Sequence, residues 1–185
     1  ILLLSIRTFV RGFDWRNNLS LATHDIKVSR DSYALESLMA QALSVKGRLQ
    51  EAKIHAEKSI DLYPYSINYI NLGHIYFVLE DYPKAKEAYL KALEFGEYYL
   101  TYEGLAAVSV FYGDPAENIK FIELALEKFP QSARLWLDLA FLNYKIGNIS
   151  QAKILAKKAY SYSKDGVTTF FYRGIMNETL DFNRK

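Results

Sequence analysis

The sequence has no cysteine among its 185 residues. Disulfides and thiolate chemistry are therefore excluded, and the redox compartment is left open. Four prolines and nine glycines are too few for a long disordered linker. Neither sign of charge dominates: 23 Lys and Arg stand against 21 Asp and Glu, for a net charge of +2. That balance argues against the concentrated basic face of a nucleic-acid binder, so no nucleic-acid partner is expected. No apolar run approaches the roughly 20 residues that span a bilayer. The chain opens with ILLLSI, without an initiator methionine, and Arg7 and Arg11 follow. It has neither the basic start nor the small-residue cleavage site of a signal peptide. This start reads as a segment cut from a longer chain.

The side chains that carry chemistry are equally sparse. The three histidines, His24, His55 and His74, are far apart and have no metal-ligand spacing. His55 stands among Lys53, Glu57 and Lys58 and reads as solvated. No Gly-rich phosphate loop or nucleophile elbow is present. The paired carboxylates Glu80 and Asp81 fall in a turn, where Asp81 reads as a helix N-cap. No catalytic residue, metal or cofactor is expected, and the chain is not read as an enzyme. Sequons at Asn18, Asn148 and Asn177 would matter only in a glycosylating compartment.

What the sequence does have is a repeat. Small residues recur at Ala40, Gly73, Ala106, Ala140 and Gly174, at steps of 33, 33, 34 and 34. Turn positions recur at Gly47, Glu80, Gly113 and Gly147. A third register runs through Ala52, Ala85, Asn118 and Ala152, and a fourth through Ser59, Ala92, Ala125 and Ala159. Two helices joined by a short turn pack closely only where small residues let the backbones approach. Bulky residues such as Tyr76 and Tyr89 then fill the space beside them. One such hairpin cannot bury its apolar face alone, so hairpins stack. The units read as 33–65, 66–98, 99–132 and 133–166, with 1–32 a membrane-proximal segment or partial repeat. Residues 167–185 read as a capping helix or a truncated fifth unit.

In this register the sequence resembles the tetratricopeptide repeat family. Tyr69, Leu72, Gly73, Tyr76, Tyr82, Ala85, Tyr89 and Ala92 carry the resemblance in the second unit. Trp136, Leu139, Ala140, Gly147, Ala152, Ala156 and Ala159 carry it in the fourth. The third departs from it, with Asn118 in place of Ala and Ser109 in place of Tyr, and is expected to pack loosely or bend the stack. The resemblance implies an all-α fold, a right-handed superhelical solenoid of antiparallel helix hairpins, and a role as a protein–protein interaction scaffold. Arg11, Asp14, Trp15 and Leu19 to Leu21 also resemble the flank that precedes the repeats in polytopic O-mannosyltransferase-like membrane proteins. That likeness implies a soluble domain tethered to a membrane through its N-terminus, as part of a longer protein. A free soluble adaptor of a secretion or cell-envelope complex, and a self-associating module forming homodimers, stay open as alternatives.

In a solenoid of this type the first helices line the concave side. The resemblance therefore places a peptide or protein partner against Ile70, Asn71, His74, Phe77, Phe111, Phe141 and Tyr144. Aromatic side chains of this kind are the usual anchors of a partner. The carboxylate clamp of chaperone-binding repeats is not expected. Asn71 matches its middle Asn, but Ser37, Gln41, Leu100 and Gly104 stand where its other polar and basic residues should be.

Overall fold

A computed structural model of the chain describes residues 31–180, together with 25, 26 and 29. The readings of Trp15, of the ILLLSI start and of residues 181–185 lie outside the described residues. Within them, nine helices run in order: α1 (Tyr33–Val45), α2 (Leu49–Leu62), α3 (Ser66–Val78), α4 (Tyr82–Leu93), α5 (Tyr99–Phe111), α6 (Pro115–Lys128), α7 (Ala133–Lys145), α8 (Ile149–Tyr162) and α9 (Gly166–Met176). No strand occurs among the described residues. The chain divides into two compact units, Ile1–Gly96 with α1 to α4 and Glu97–Lys185 with α5 to α9.

Local chemistry sets the helix ends. The side chains of Ser32, Asp81, Asp114, Ser132 and Asp165 each accept a backbone N–H from the first turn of the helix that follows. Such caps satisfy donors that have no partner within the helix. Asp81 is thus the N-cap that the sequence suggests. Gly47, Gly113 and Gly147 take positive φ just past the ends of α1, α5 and α7. The equivalent turn after α3 is made by Glu80, at φ 61°. A residue with a Cβ is strained in that region, where glycine is not.

Packing follows the repeat. Within the first unit α1 pairs with α2 and α3 with α4, while α1 also packs on α3. Ala40, Leu43, Ala52, Ala56 and Ile75 form its buried core. At Gly73 the fit is tight: an added Cβ would lie 2.9 Å from the buried Tyr89 ring. One buried group escaped the sequence reading. Glu36 on α1 is fully buried, with His55 Nδ1 at 2.6 Å and Lys58 Nζ at 2.5 Å, both from α2. Contrary to the expectation above, His55 is not solvated among its sequence neighbours; it turns inward to the buried Glu36 carboxyl, which it shares with Lys58.

In the second unit α7 pairs with α8, and α9 packs on both. The α5/α6 hairpin is the open one. Its backbones come within 8 Å of each other along much less of their length than in the other three hairpins. Asn118 holds the position where the other hairpins have alanine. Its amide donates to Ser109 O at 2.8 Å and Tyr112 O at 2.9 Å, near the end of α5. The departure from the family pattern thus exchanges close approach for satisfied carbonyls.

Two substitutions check this account by chemical denaturation. Asn118→Ala restores the family residue, yet is expected to lower stability by about 1–3 kcal/mol, because two carbonyls lose their donor. Glu80→Gly is expected to raise stability by about 0.5–1 kcal/mol through relief of the left-handed strain.

Candidate partner-binding surfaces

Four of the expected anchors lie on α3 in the first unit. Ile70 and Asn71 are buried, Phe77 is half-buried and His74 is exposed. Asn71 is committed to the fold: its amide donates to Ser37 Oγ at 2.8 Å, and its Oδ1 accepts from Gln41 at 3.2 Å, both on α1. The ring of Phe77 meets Tyr82 of α4 edge-on at 5.8 Å. The structure brings Asn71 and His74 together with Gln41, Ser44 and Val45 around a small cavity of about 90 Å³. His74 is exposed as a residue, but neighbouring atoms partly shield its ring from water, which draws its pKa below the ordinary histidine value. The neutral ring offers one donor and one acceptor.

The other three anchors lie in the second unit. Phe111, at the end of α5, is 51% exposed. Phe141 on α7 is half-buried and meets Phe171 of α9 edge-on, with ring centroids 4.8 Å apart. Tyr144 is half-buried on the same helix. Phe141 thus helps to seat α9.

A polar cavity of about 470 Å³ lies near the starts of α5, α7 and α9, lined by Tyr99, Glu103, Arg134, Leu137, Asp165 and Thr168. Arg134 Nε donates to Asp138 Oδ2 at 3.1 Å, one turn along α7. Burial raises the pKa of Asp138 to about 6, against the opposing pull of Arg134. Asp138 in turn raises that of Arg134. Tyr99 and Ser132 both donate to Glu103. Asp165 is held below the usual carboxylate range by the Ser163 hydroxyl at 2.6 Å and the Thr168 N–H at 2.7 Å.

The expected anchors include none of these lining residues. The readable signal was Arg134 and Asp138 at i,i+4 on a first helix, a spacing that places opposite charges side by side. Among the described residues no group of three or more His, Asp or Glu could hold a metal ion. No helix among them is long and apolar enough to cross a membrane.

Comparison with known proteins agrees with this geometry. Residues 69–97 match the tetratricopeptide repeat family model. The protein O-mannosyl-transferase Tmtc3 of Drosophila melanogaster is 30% identical over 95 residues, which cover 50% of this chain and 10% of the relative. Three solved structures share the fold. YrrB, described as a tetratricopeptide repeat protein with an unusual peptide-binding site, superposes with a TM-score of 0.63 at 19% identity, covering 85% of this chain and 82% of that one. The Cut9–Hcn1 assembly of the APC/C gives 0.79 at 13% identity, covering 88% and 33%. MamA gives 0.66 at 18% identity, covering 76% and 84%.

The buried carboxylate gives a pH test. The folded-state pKa of Asp138 lies above its ordinary value of 3.8. The stability it contributes is therefore present below pH 4 and is lost as pH rises through about 6. The wild type is expected to lose stability between pH 4 and pH 7 relative to Asp138→Asn, measured by denaturation of both proteins at each pH.

Proposed function

We propose, from the tetratricopeptide repeat fold of these hairpins, that the chain is a scaffold that holds a peptide or protein partner against its first helices. The observation that carries this reading is the apolar surface those helices leave in water. Val45 is 86% exposed, Val78 44% and Phe111 51%. Exposed apolar and aromatic side chains of this kind are the usual anchors of a partner; the second helices leave Ile54, Leu124 and Ile154 exposed as well, so the variants below decide between the two sets. In this reading His74 and Phe111 contact the partner directly, while Ile70, Phe77 and Tyr144 shape the surface around them. Asn71 and Phe141 act indirectly, by holding α3 to α1 and α9 to α7. The repeat units are taken as 33–65, 66–98, 99–132 and 133–166, with 167–185 as a cap or truncated fifth unit.

The similarity to Tmtc3 supports a finer reading. The chain is the repeat segment of a membrane-anchored, glycosyltransferase-like protein, and catalysis lies elsewhere in that protein. The segment then recruits or positions a partner without taking part in the reaction.

Selection from a randomised peptide library tests the binding reading. Peptides selected on the wild type are expected to bind His74→Ala and Phe111→Ala at least about tenfold more weakly. Both side chains are exposed, so circular dichroism should be unchanged. Equal affinity for wild type and both variants would move the site away from the first helices.

A further inference from the structure

A third cavity, of about 380 Å³, lies on the side of α7 that faces α6 and α8. Its floor is Leu126, Leu139 and Leu155, all buried; Trp136 forms one wall, and Glu123 stands exposed at its rim. The repeat register explains why the space is open. In the first unit, Tyr76 lies three residues after the small residue Gly73, and its hydroxyl donates to Glu57 Oε1 at 3.3 Å. Glu57 lies five residues after Ala52.

Counting in the same way in the second unit, Glu123 lies five residues after Asn118, and Asn143 three after Ala140. The carboxylate of the pair is therefore kept, but the tyrosine has become asparagine. Asn143 instead turns its amide to Leu139 O at 2.9 Å, back along its own helix. What is left is a cavity with an apolar floor, an aromatic wall and a carboxylate whose phenol partner is missing. Glu127, one turn further on α6, adds a second acceptor at the rim. An aliphatic cavity of roughly 150 Å³ already takes a benzene ring, so this one has room for a phenol.

We propose that this cavity is a docking site for a tyrosine side chain presented by a partner protein, its ring against Trp136 and its hydroxyl donating to Glu123. The chemistry is that of the Tyr76–Glu57 contact, supplied from outside instead of from within the chain. The acidic rim disfavours an anionic group. A phenylalanine would make no hydrogen bond to that carboxylate, which would stay hydrated at the exposed rim. The proposal goes beyond the first-helix reading and stands or falls separately, since it uses different residues.

The test is a titration of the isotope-labelled full chain with p-cresol, the tyrosine side-chain analogue, followed by amide NMR. Toluene and n-butylamine serve as comparison probes. The expected result is saturable shifts at Glu123, Asn143 and the Trp136 indole. Toluene binding, and p-cresol binding to Glu123→Gln, should each be about fivefold weaker, the loss of one net hydrogen bond. Asn143→Tyr fills the space from within and should abolish the shifts. The exposed Glu123→Gln keeps the test valid should Asn143→Tyr fail to fold. Absence of p-cresol shifts at those residues would overturn the proposal. So would equal binding of toluene, or tighter binding of n-butylamine.

Discussion

Everything in this chain depends on how closely two helix backbones can approach. At Gly73 an added Cβ would come within 2.9 Å of the Tyr89 ring, so the α3/α4 hairpin closes only because that position has no side chain. Alanine plays the same part at Ala40, Ala52, Ala85, Ala92, Ala140 and Ala152, each fully buried. Apolar burial then follows from proximity, and the period of 33 to 34 residues follows from the need to present the same small residue to the next hairpin. The surfaces left for partners are whatever this packing does not use.

Polar groups inside the stack modulate the rule. Asn68 donates to Tyr63 O and Ser59 O near the end of α2, as Asn118 does near the end of α5. Asn71 ties α3 to α1. Glu36 draws His55 and Lys58 of α2 toward α1. Each arrangement buries polar atoms at a cost that only a fixed partner offsets, so each favours one register over a slipped one. The open α5/α6 hairpin is the visible consequence where the asparagine is larger than the alanine it replaces.

Much of this was legible in the sequence. The helices, their turns and the close contacts followed from the spacing of small and bulky residues, because those are properties of neighbours along the chain. Asp81 as a cap needed only its own turn. The Glu36–His55 pair was not legible, because it depends on which faces of α1 and α2 meet, and the residues beside His55 in sequence pointed to solvent. Among the expected anchors, spacing located Asn71 and Phe141 on the intended helices. It could not show that Asn71 is engaged by Ser37 and Gln41, or that Phe141 is packed by α9. Of the polar cavity around Arg134, the Arg134–Asp138 spacing along α7 was readable, but not that residues at the starts of α5 and α9 line the same space. The space beside Asn143 was hidden for another reason: it is the absence of a side chain, visible only when Tyr76 and Glu57 show what occupies the equivalent place.

The central claim is that the first helices form the binding face. Hydrogen–deuterium exchange of the chain, with and without a peptide selected on it, tests this most directly. The account predicts new protection in α1, α3, α5 and α7, and none beyond the free protein in α2, α4, α6 and α8. Protection concentrated in the second helices instead would contradict it.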